Sequence, residues 1–362
     1  MSNDGYLRYA PSVEQMQPNE AETVEKVVAS IERTSKINQG IRQQHAKAHG
    51  FLRGELTVHG NLPDHLRQGM FEPARSYPII VRYSTAFGEL RSDQVRRPRG
   101  MAIKVLGVSG PRALPEDSST NQDFLLVNHK SYFSDAATYL SLQRSFEWQP
   151  LFPDFALKGI GALSRGLVKS PTAKRILAND NPFLMTAKVL GDLGNNILGE
   201  TFWSQAALRF GDYVARISAI PISESLVRLS GQPCHDDDDG LLKSVVEYFS
   251  KNAAEYELRA QLCTDLKHTP IEDASVDWPE DISPPQPLAR ITIPPQQADT
   301  QARRKYADDV LSFSPWRCLA DHRPLGSLMR LRKEAYKTSS ALRHHDDKKS
   351  MVEPRNISEF PD

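Results

Sequence analysis

The sequence predicts an α+β protein in which an antiparallel sheet or barrel carries attached helices. Three observations lead to that class. Short runs rich in β-branched and aromatic residues recur without a repeating period, from Leu52–Val58 through to Ala289–Ile293. The stretch from about Asp154 to Leu198 breaks that pattern with Ala, Leu, Lys and Gly in helical proportions. A last helical pattern, over about residues 325–345, follows a proline-rich approach and carries the residues with the strongest chemical signal.

The elements follow in chain order. Residues Glu20 to Lys36 place Val24, Val27, Val28 and Ile31 at i, i+3, i+4 and i+7, which is one apolar helical face. This helix lies in an N-terminal extension, 1–40, that reads as an arm packed on another surface. If that surface belongs to a second copy, a homodimer results. The main body, 41–345, opens with strands at Leu52–Val58, Tyr77–Ser84 and Met101–Leu106. Further strands are expected at Asp123–Val127, Tyr213–Ile220, Tyr256–Leu262 and Ala289–Ile293. The helical excursion over 154–198 reads as a cover for the sheet, although an amphipathic patch there would also suit a substrate entrance or a lipid surface. The run His235-Asp236-Asp237-Asp238-Asp239-Gly240 lacks the alternation of a calcium loop and reads as a solvated turn. A tail, 346–362, ends the chain.

Composition sets limits on function. With 362 residues the chain can bury a substantial core. Its 45 basic residues balance 45 acidic ones, so bulk charge gives no reason to expect a nucleic-acid or membrane-surface partner. The N-terminus, Met-Ser-Asn-Asp-Gly-Tyr, has no basic region followed by an apolar run, and no stretch approaches the roughly 18 to 20 apolar residues of a membrane span. A soluble cytoplasmic protein is expected. Cys234, Cys263 and Cys318 are odd in number and widely spaced, which suggests plain thiols rather than a disulfide framework or a thiolate metal site.

Three clusters could carry chemistry. The first is Arg332-Lys333-Glu334-Ala335-Tyr336 with Arg343 beyond it. On an α-helix, offsets of four and eleven bring Arg332, Tyr336 and Arg343 to within roughly 40° of one another. A phenol beside guanidinium groups is favoured as phenolate, and a phenolate can ligate ferric iron. A surface helix with an amphipathic tyrosine gives the same local pattern. The second cluster joins Ile41-Arg42-Gln43-Gln44-His45-Ala46-Lys47-Ala48-His49-Gly50 to the strand Val81-Arg82-Tyr83-Ser84-Thr85. A histidine at a strand start can serve as a general base. Arg82 and Ser84 share one strand face, where the arginine would suit a carboxylate and the serine a histidine ring. An internal salt bridge accounts for Arg82 equally well. The third is Thr120-Asn121-Gln122-Asp123-Phe124, with Tyr132-Phe133 after it. A side-chain amide there could polarise a peroxide oxygen and the aromatics could wall a flat cofactor, while a turn or cap explains Thr120 and Asn121 without either.

Taken in order, these segments resemble the haem catalases, and within them the short catalase-like peroxidase branch. Arg42-x-x-His45-Ala46-Lys47 resembles the distal histidine segment. Val81-Arg82-Tyr83-Ser84-Thr85, followed by Arg97-Pro98-Arg99-Gly100-Met101-Ala102-Ile103-Lys104, is similar to the stretch after it. Phe124 to Phe133 resembles the distal asparagine and phenylalanine segment. Trp278-Pro279, Leu288–Ile293 and Phe313-Ser314-Pro315 are similar to the approach to the proximal helix, and Arg332-x-x-x-Tyr336 to the proximal ligand motif.

The resemblance implies an antiparallel β-barrel holding haem, of b type, between barrel and helices. It implies that His45 is the distal acid–base group, Tyr336 the axial ligand to iron and Arg332 the group that keeps Tyr336 as phenolate. Ser84 would orient His45, Phe133 would pack near the distal face, and Arg42, Arg82 and Arg343 would receive the propionates. His45 is preferred to His49 because Arg42 stands three residues before it. An ungapped comparison puts Thr120 at the distal amide position, and a one-residue shift restores Asn121. The chain ends soon after Tyr336, so a more open haem channel than in full-length catalases is expected. The function implied is cleavage of hydrogen peroxide or organic hydroperoxides with a small organic reductant, in oxidative-stress defence. Rearrangement of fatty-acid hydroperoxides and non-catalytic haem sensing are the alternatives.

Overall fold

Along the strand Ala254–Leu262, buried and part-exposed side chains alternate at every residue, the signature of a sheet with one face turned to a core. The computed structural model describes residues 5–37, 44–86, 88–130, 133–145, 147, 149–167, 187, 189–191, 194–347 and 352–362. Its nine strands are β1 (Ala48–Val58), β2 (Ser76–Thr85), β3 (Arg99–Val105), β4 (Gln122–Val127), β5 (Phe202–Trp203), β6 (Leu208–Phe210), β7 (Tyr213–Pro221), β8 (Ala254–Leu262) and β9 (Gln286–Ile293). They run in the order β5-β4-β3-β2-β1-β9-β8-β7-β6. Strand β5 also pairs with β7, through Phe202↔Ala219 and Trp203↔Ser218, so eight antiparallel strands close into a barrel and β6 hangs on β7. Closure removes the exposed edges that an open sheet would leave.

All seven strands expected from the sequence are present, most of them a residue or two longer. The two that sequence periodicity missed are β5 and β6, of two and three residues, too short to show an alternation. The barrel interior is filled by Leu52, Leu56, Ile79, Val81, Ile103, Phe202, Phe249 and Leu258, all fully buried. Its buried phenols are satisfied in series: Tyr83 donates to the Tyr256 hydroxyl at 3.0 Å and Tyr256 to the Leu198 carbonyl at 2.7 Å.

Among the described residues there are seven α-helices: α1 (Glu20–Ile37), α2 (Ala136–Ser145), α3 (Asp154–Leu167), α4 (Glu224–Val227), α5 (Gly240–Phe249), α6 (Gln301–Asp309) and α7 (Ser327–Asp347). None is long and apolar enough to cross a membrane. Helix α3 begins the expected excursion, and most of its continuation lies outside the described residues. Helices α1, α2 and α7 pack on one another through Val27 and Ile31 of α1, Leu142 of α2, and Leu328, Leu331 and Ala335 of α7. The apolar face of α1 is therefore covered by its own chain, which withdraws the reason for expecting a homodimer. The aspartate run ahead of α5 is a turn held by ion pairs, with Lys243 on Asp237 at 2.8 Å and Lys47 on Asp239 at 3.1 Å.

The segment 352–362 returns to the barrel. Phe360 is fully buried against Phe51 and Ile80. Beside it, four charges share one buried cluster. Lys104 reaches Asp123 at 2.8 Å and Glu353 at 2.7 Å, and Arg317 reaches the same two carboxylates, each at 2.9 Å. Lys104 and Asp123 are completely buried, so each needs the other to offset desolvation. Replacing Lys104 by Ala leaves the carboxylates of Asp123 and Glu353 to share Arg317 as their one remaining cation and is expected to cost about 3–5 kcal/mol in chemical denaturation. Lys26→Ala, which breaks the exposed pair with Glu22, is expected to leave the unfolding midpoint in place.

Candidate active site

The site is made where α7 faces the open ends of β2, β3 and β4. Helix α7 is fixed at its start. Gly326 N donates to Glu14 at 3.0 Å and Ser327 N to Glu272 at 2.8 Å, so carboxylates satisfy N–H groups that have no partner within the helix. One turn on, Arg330 binds Glu14 at 2.8 Å, Glu20 at 2.6 Å and Glu272 at 2.8 Å. The hydrogen bond from Arg330 is the main reason that the Glu20 carboxyl is held below its ordinary range, against the effect of burial. With α7 so placed, Arg332 Nη2 donates to the Tyr336 hydroxyl oxygen at 2.8 Å, and its guanidinium lies 5.1 Å from the tyrosine ring centre. Arg343 belongs to the same helix, but its side chain lies outside the described residues.

The barrel wall presents His45. Its φ of +53° is in the left-handed region, which non-glycine residues seldom occupy and which recurs at functional sites. Arg82 Nη2 donates to the His45 carbonyl at 2.5 Å, and Ser84 Oγ bonds the ring at Nδ1 at 3.0 Å. That leaves Nε2 for the cavity. The ring sits against Gly100, where a Cβ would come 2.6 Å from His45 Cε1, closer than any real contact. Burial first, then the charges of Arg82 and Arg332, push His45 down to about 3, so the imidazole is neutral at neutral pH. His49 is different: fully buried and hydrogen-bonded to Thr85, it is absent from the cavity wall.

The strand register explains the floor. Ser84, Gly100 and Val127 lie side by side across β2, β3 and β4, as do Arg82, Ala102 and Leu125 two residues along. All six line one cavity, together with His45, Tyr139, Phe313, Arg332 and Tyr336. A second, smaller compartment shares Gln44, His45, Leu125, Val127, Tyr139, Arg332 and Tyr336 with it and adds Phe133, Leu142, Val189, Gln205 and Leu328. Apolar side chains make up much of the walls, and the polar groups are two phenols, an imidazole, two guanidiniums, the amides of Gln44 and Gln205 and several serine hydroxyls, a mixture that suits a largely apolar ligand with a few polar anchors. Burial and then the neighbouring Tyr336 raise the Tyr139 phenol well above its ordinary value, so it remains protonated. Among the described residues no group of three or more His, Cys, Asp or Glu converges as a metal site.

The structure therefore gathers His45, Arg82, Ser84, Phe133, Arg332 and Tyr336 around one cavity. Arg42 and Tyr132 lie outside the described residues. Asn121 corrects the sequence expectation. It precedes β4 at the end remote from Val127, about 20 Å away at ~3.3 Å per residue. Its Nδ2 donates to Glu353 at 3.2 Å and to the Pro354 carbonyl at 3.1 Å, which ties the side chain to the segment 352–362. Thr120 is exposed and offers no substitute. Sequence reasoning missed Tyr139 and Gln205, which carry no local signal. It passed over Gln44 and Gly100, although both stand inside motifs it had singled out.

Comparison with solved structures supplies the deciding observation. A fungal catalase superimposes with a TM-score of 0.56 over 88% of this chain and 66% of its own, at 15% identity. Catalase A from Saccharomyces cerevisiae gives 0.54 over 91% and 70%, at 13% identity, and a bacterial catalase 0.53 over 98% and 68%, at 13%. The chain has the catalase fold. No protein-family model and no curated protein matches the sequence. Since the chain spans just under two thirds of the fungal catalase, the catalase fold is shared over part of that protein's length.

Within this fold, Gly100 gives the sharpest local test. Gly100→Ala is expected to fold at a cost of about 1–3 kcal/mol for overpacking and to push the imidazole off Ser84. The nitrogen chemical shift of His45 Nδ1 reads this directly. An unchanged shift would mean that the backbone yields instead of the ring.

Proposed function

We propose that the protein is a haem-dependent, catalase-like peroxidase of the short branch, acting on hydrogen peroxide or organic hydroperoxides with a small organic reductant. The reading places it in the cytoplasm, in defence against oxidative stress. One observation carries it: an Arg332–Tyr336 pair on the helical wall and a Ser84–His45 pair on the barrel wall line the same largely apolar cavity. The donor set fits a haem. Tyr336 would hold the iron through its phenol oxygen, and Arg82, with Arg42 and Arg343 beyond the described side chains, would hold the propionates. Haem, taken as the b type, supplies the iron at which a peroxide O–O bond is cleaved.

The remaining chemistry belongs to the chain. Arg332 donates to the Tyr336 oxygen and so fixes the direction in which that oxygen faces the cavity. Ser84 holds His45 Nδ1, so Nε2 is the atom that takes a proton from the bound hydroperoxide and returns it to the departing oxygen. Burial keeps the imidazole neutral at rest, so its Nε2 lone pair is available to accept the proton. Phe133 and the aliphatic side chains exclude water. Asn121 has no part in this reading.

The absorption spectrum of protein made with ample haem supply, compared with Tyr336→Phe, tests the assignment. The expected result is stoichiometric haem with a ferric Soret band that the substitution shifts or abolishes; identical spectra would remove the ligand. His45→Ala is expected to retain haem and lose peroxide cleavage by at least about 100-fold, the lower range for a general acid–base group.

The pH profile follows from the lowered histidine. An ordinary imidazole would be half protonated near 6.5, whereas His45 stays in its base form down to about 3. Peroxide cleavage by folded protein is therefore expected to hold its level from pH 8 to pH 5. A loss with a midpoint near 6.5 would show that the ring is solvated.

A further inference from the structure

Gln205 adopts a conformation that side chains of its size avoid. Its φ is +63°, in the left-handed region. Ala206 N donates to the Ser204 carbonyl at 2.8 Å, so Gln205 is the central residue of a three-residue turn, a strained form away from glycine. Ser204 Oγ accepts from Ile217 N at 3.1 Å and donates to the Ala206 carbonyl at 2.9 Å, which pins the turn to β7. The residue is 9% exposed, and its Nε2 is buried without a hydrogen-bond partner. An unsatisfied buried donor and a strained backbone thus coincide at one residue on the wall of the smaller compartment. Gln44 Nε2 is also buried and unpartnered, but Gln44 lines both compartments and does not distinguish them.

We propose that Gln205 determines substrate specificity: its Nε2 donates a hydrogen bond to an oxygen of an organic hydroperoxide whose hydrocarbon body fills this compartment. The inference rests on the peroxidase reading above. The donor requires an acceptor on the ligand. Phe133, Leu142, Val189 and Leu328 require that the rest of the ligand be apolar, since a polar body would lose its hydration against them without compensation. His45 lines the same compartment, so a ligand anchored there is next to the acid–base group.

The test uses 2-phenyl-2-propanol, the unreactive alcohol of cumene hydroperoxide, which keeps both the acceptor oxygen and the apolar body. Its binding is measured by titration calorimetry on protein made with ample haem supply, for the wild type and Gln205→Gly. Glycine accepts the left-handed backbone without strain, so the variant is expected to melt at the same or a higher temperature. It is expected to bind the alcohol about 3- to 10-fold more weakly, the range for one neutral hydrogen bond. More stable yet weaker binding is an outcome that a purely structural role would not produce. Equal affinities, or no binding by the wild type, would overturn the assignment. Haem content recorded on the same samples separates the two ideas: protein without haem sinks the peroxidase reading, while the calorimetry still decides whether Gln205 holds the alcohol.

Discussion

The site depends above all on the anchoring of α7 through Arg330. One guanidinium answers three carboxylates, Glu14 and Glu20 of the N-terminal extension and Glu272 of the connection between β8 and β9, and offsets their mutual repulsion. Because this anchor lies two residues before Arg332 and six before Tyr336, it sets both the rotation and the depth of the helix face that forms one wall of the cavity. Trp316 adds a second hold by donating from its indole nitrogen to the Met329 carbonyl at 2.7 Å. The N-terminal extension is thereby part of the site's frame: it contributes Glu14 and Glu20, and it buries Val27 and Ile31 against the same helix.

The opposite wall trades stability for position. His45 is left-handed, at a cost of order 1–2 kcal/mol for an L-residue, and its ring is desolvated. Three neighbours offset this. Arg82 takes its carbonyl, Ser84 takes Nδ1, and the bare backbone of Gly100 gives the ring room. These neighbours come from β2 and β3, so the precision of the histidine derives from sheet register rather than from its own segment. The closed barrel makes that register rigid, and its closure hangs on the two residues of β5. Gln205 repeats the arrangement beside β7, with a strained residue presented by a turn that a strand holds.

Much of the fold and part of the site were legible from spacing. Seven strands and the helices α1 and α7 show their periods over eight or more residues or as β-branched runs, which is enough for a pattern to rise above composition. Arg332 and Tyr336 are four apart on a helix, and Arg82 and Ser84 two apart on a strand, so each pair shares a face by geometry alone. Asn121 failed because its partner is Glu353, 232 residues away, and nothing local announces that contact. The reason given for a dimer was lost in the same way: the surface that covers α1 is α7 of the same chain, some 300 residues on.

The sequence by itself determined which side chains stand together on one element, because helix and strand periods are properties of consecutive residues. It also ordered the segments along the chain in a way that resembles haem catalases. Tertiary structure alone decided which elements share a cavity. That depends on how strands pair and where the barrel closes, and it brought in Tyr139, Gln44 and Gln205 while turning Asn121 and His49 away. The physical reason is that a cavity wall is built from residues far apart in the chain, and their meeting is fixed by burial and charge neutralisation across the whole fold.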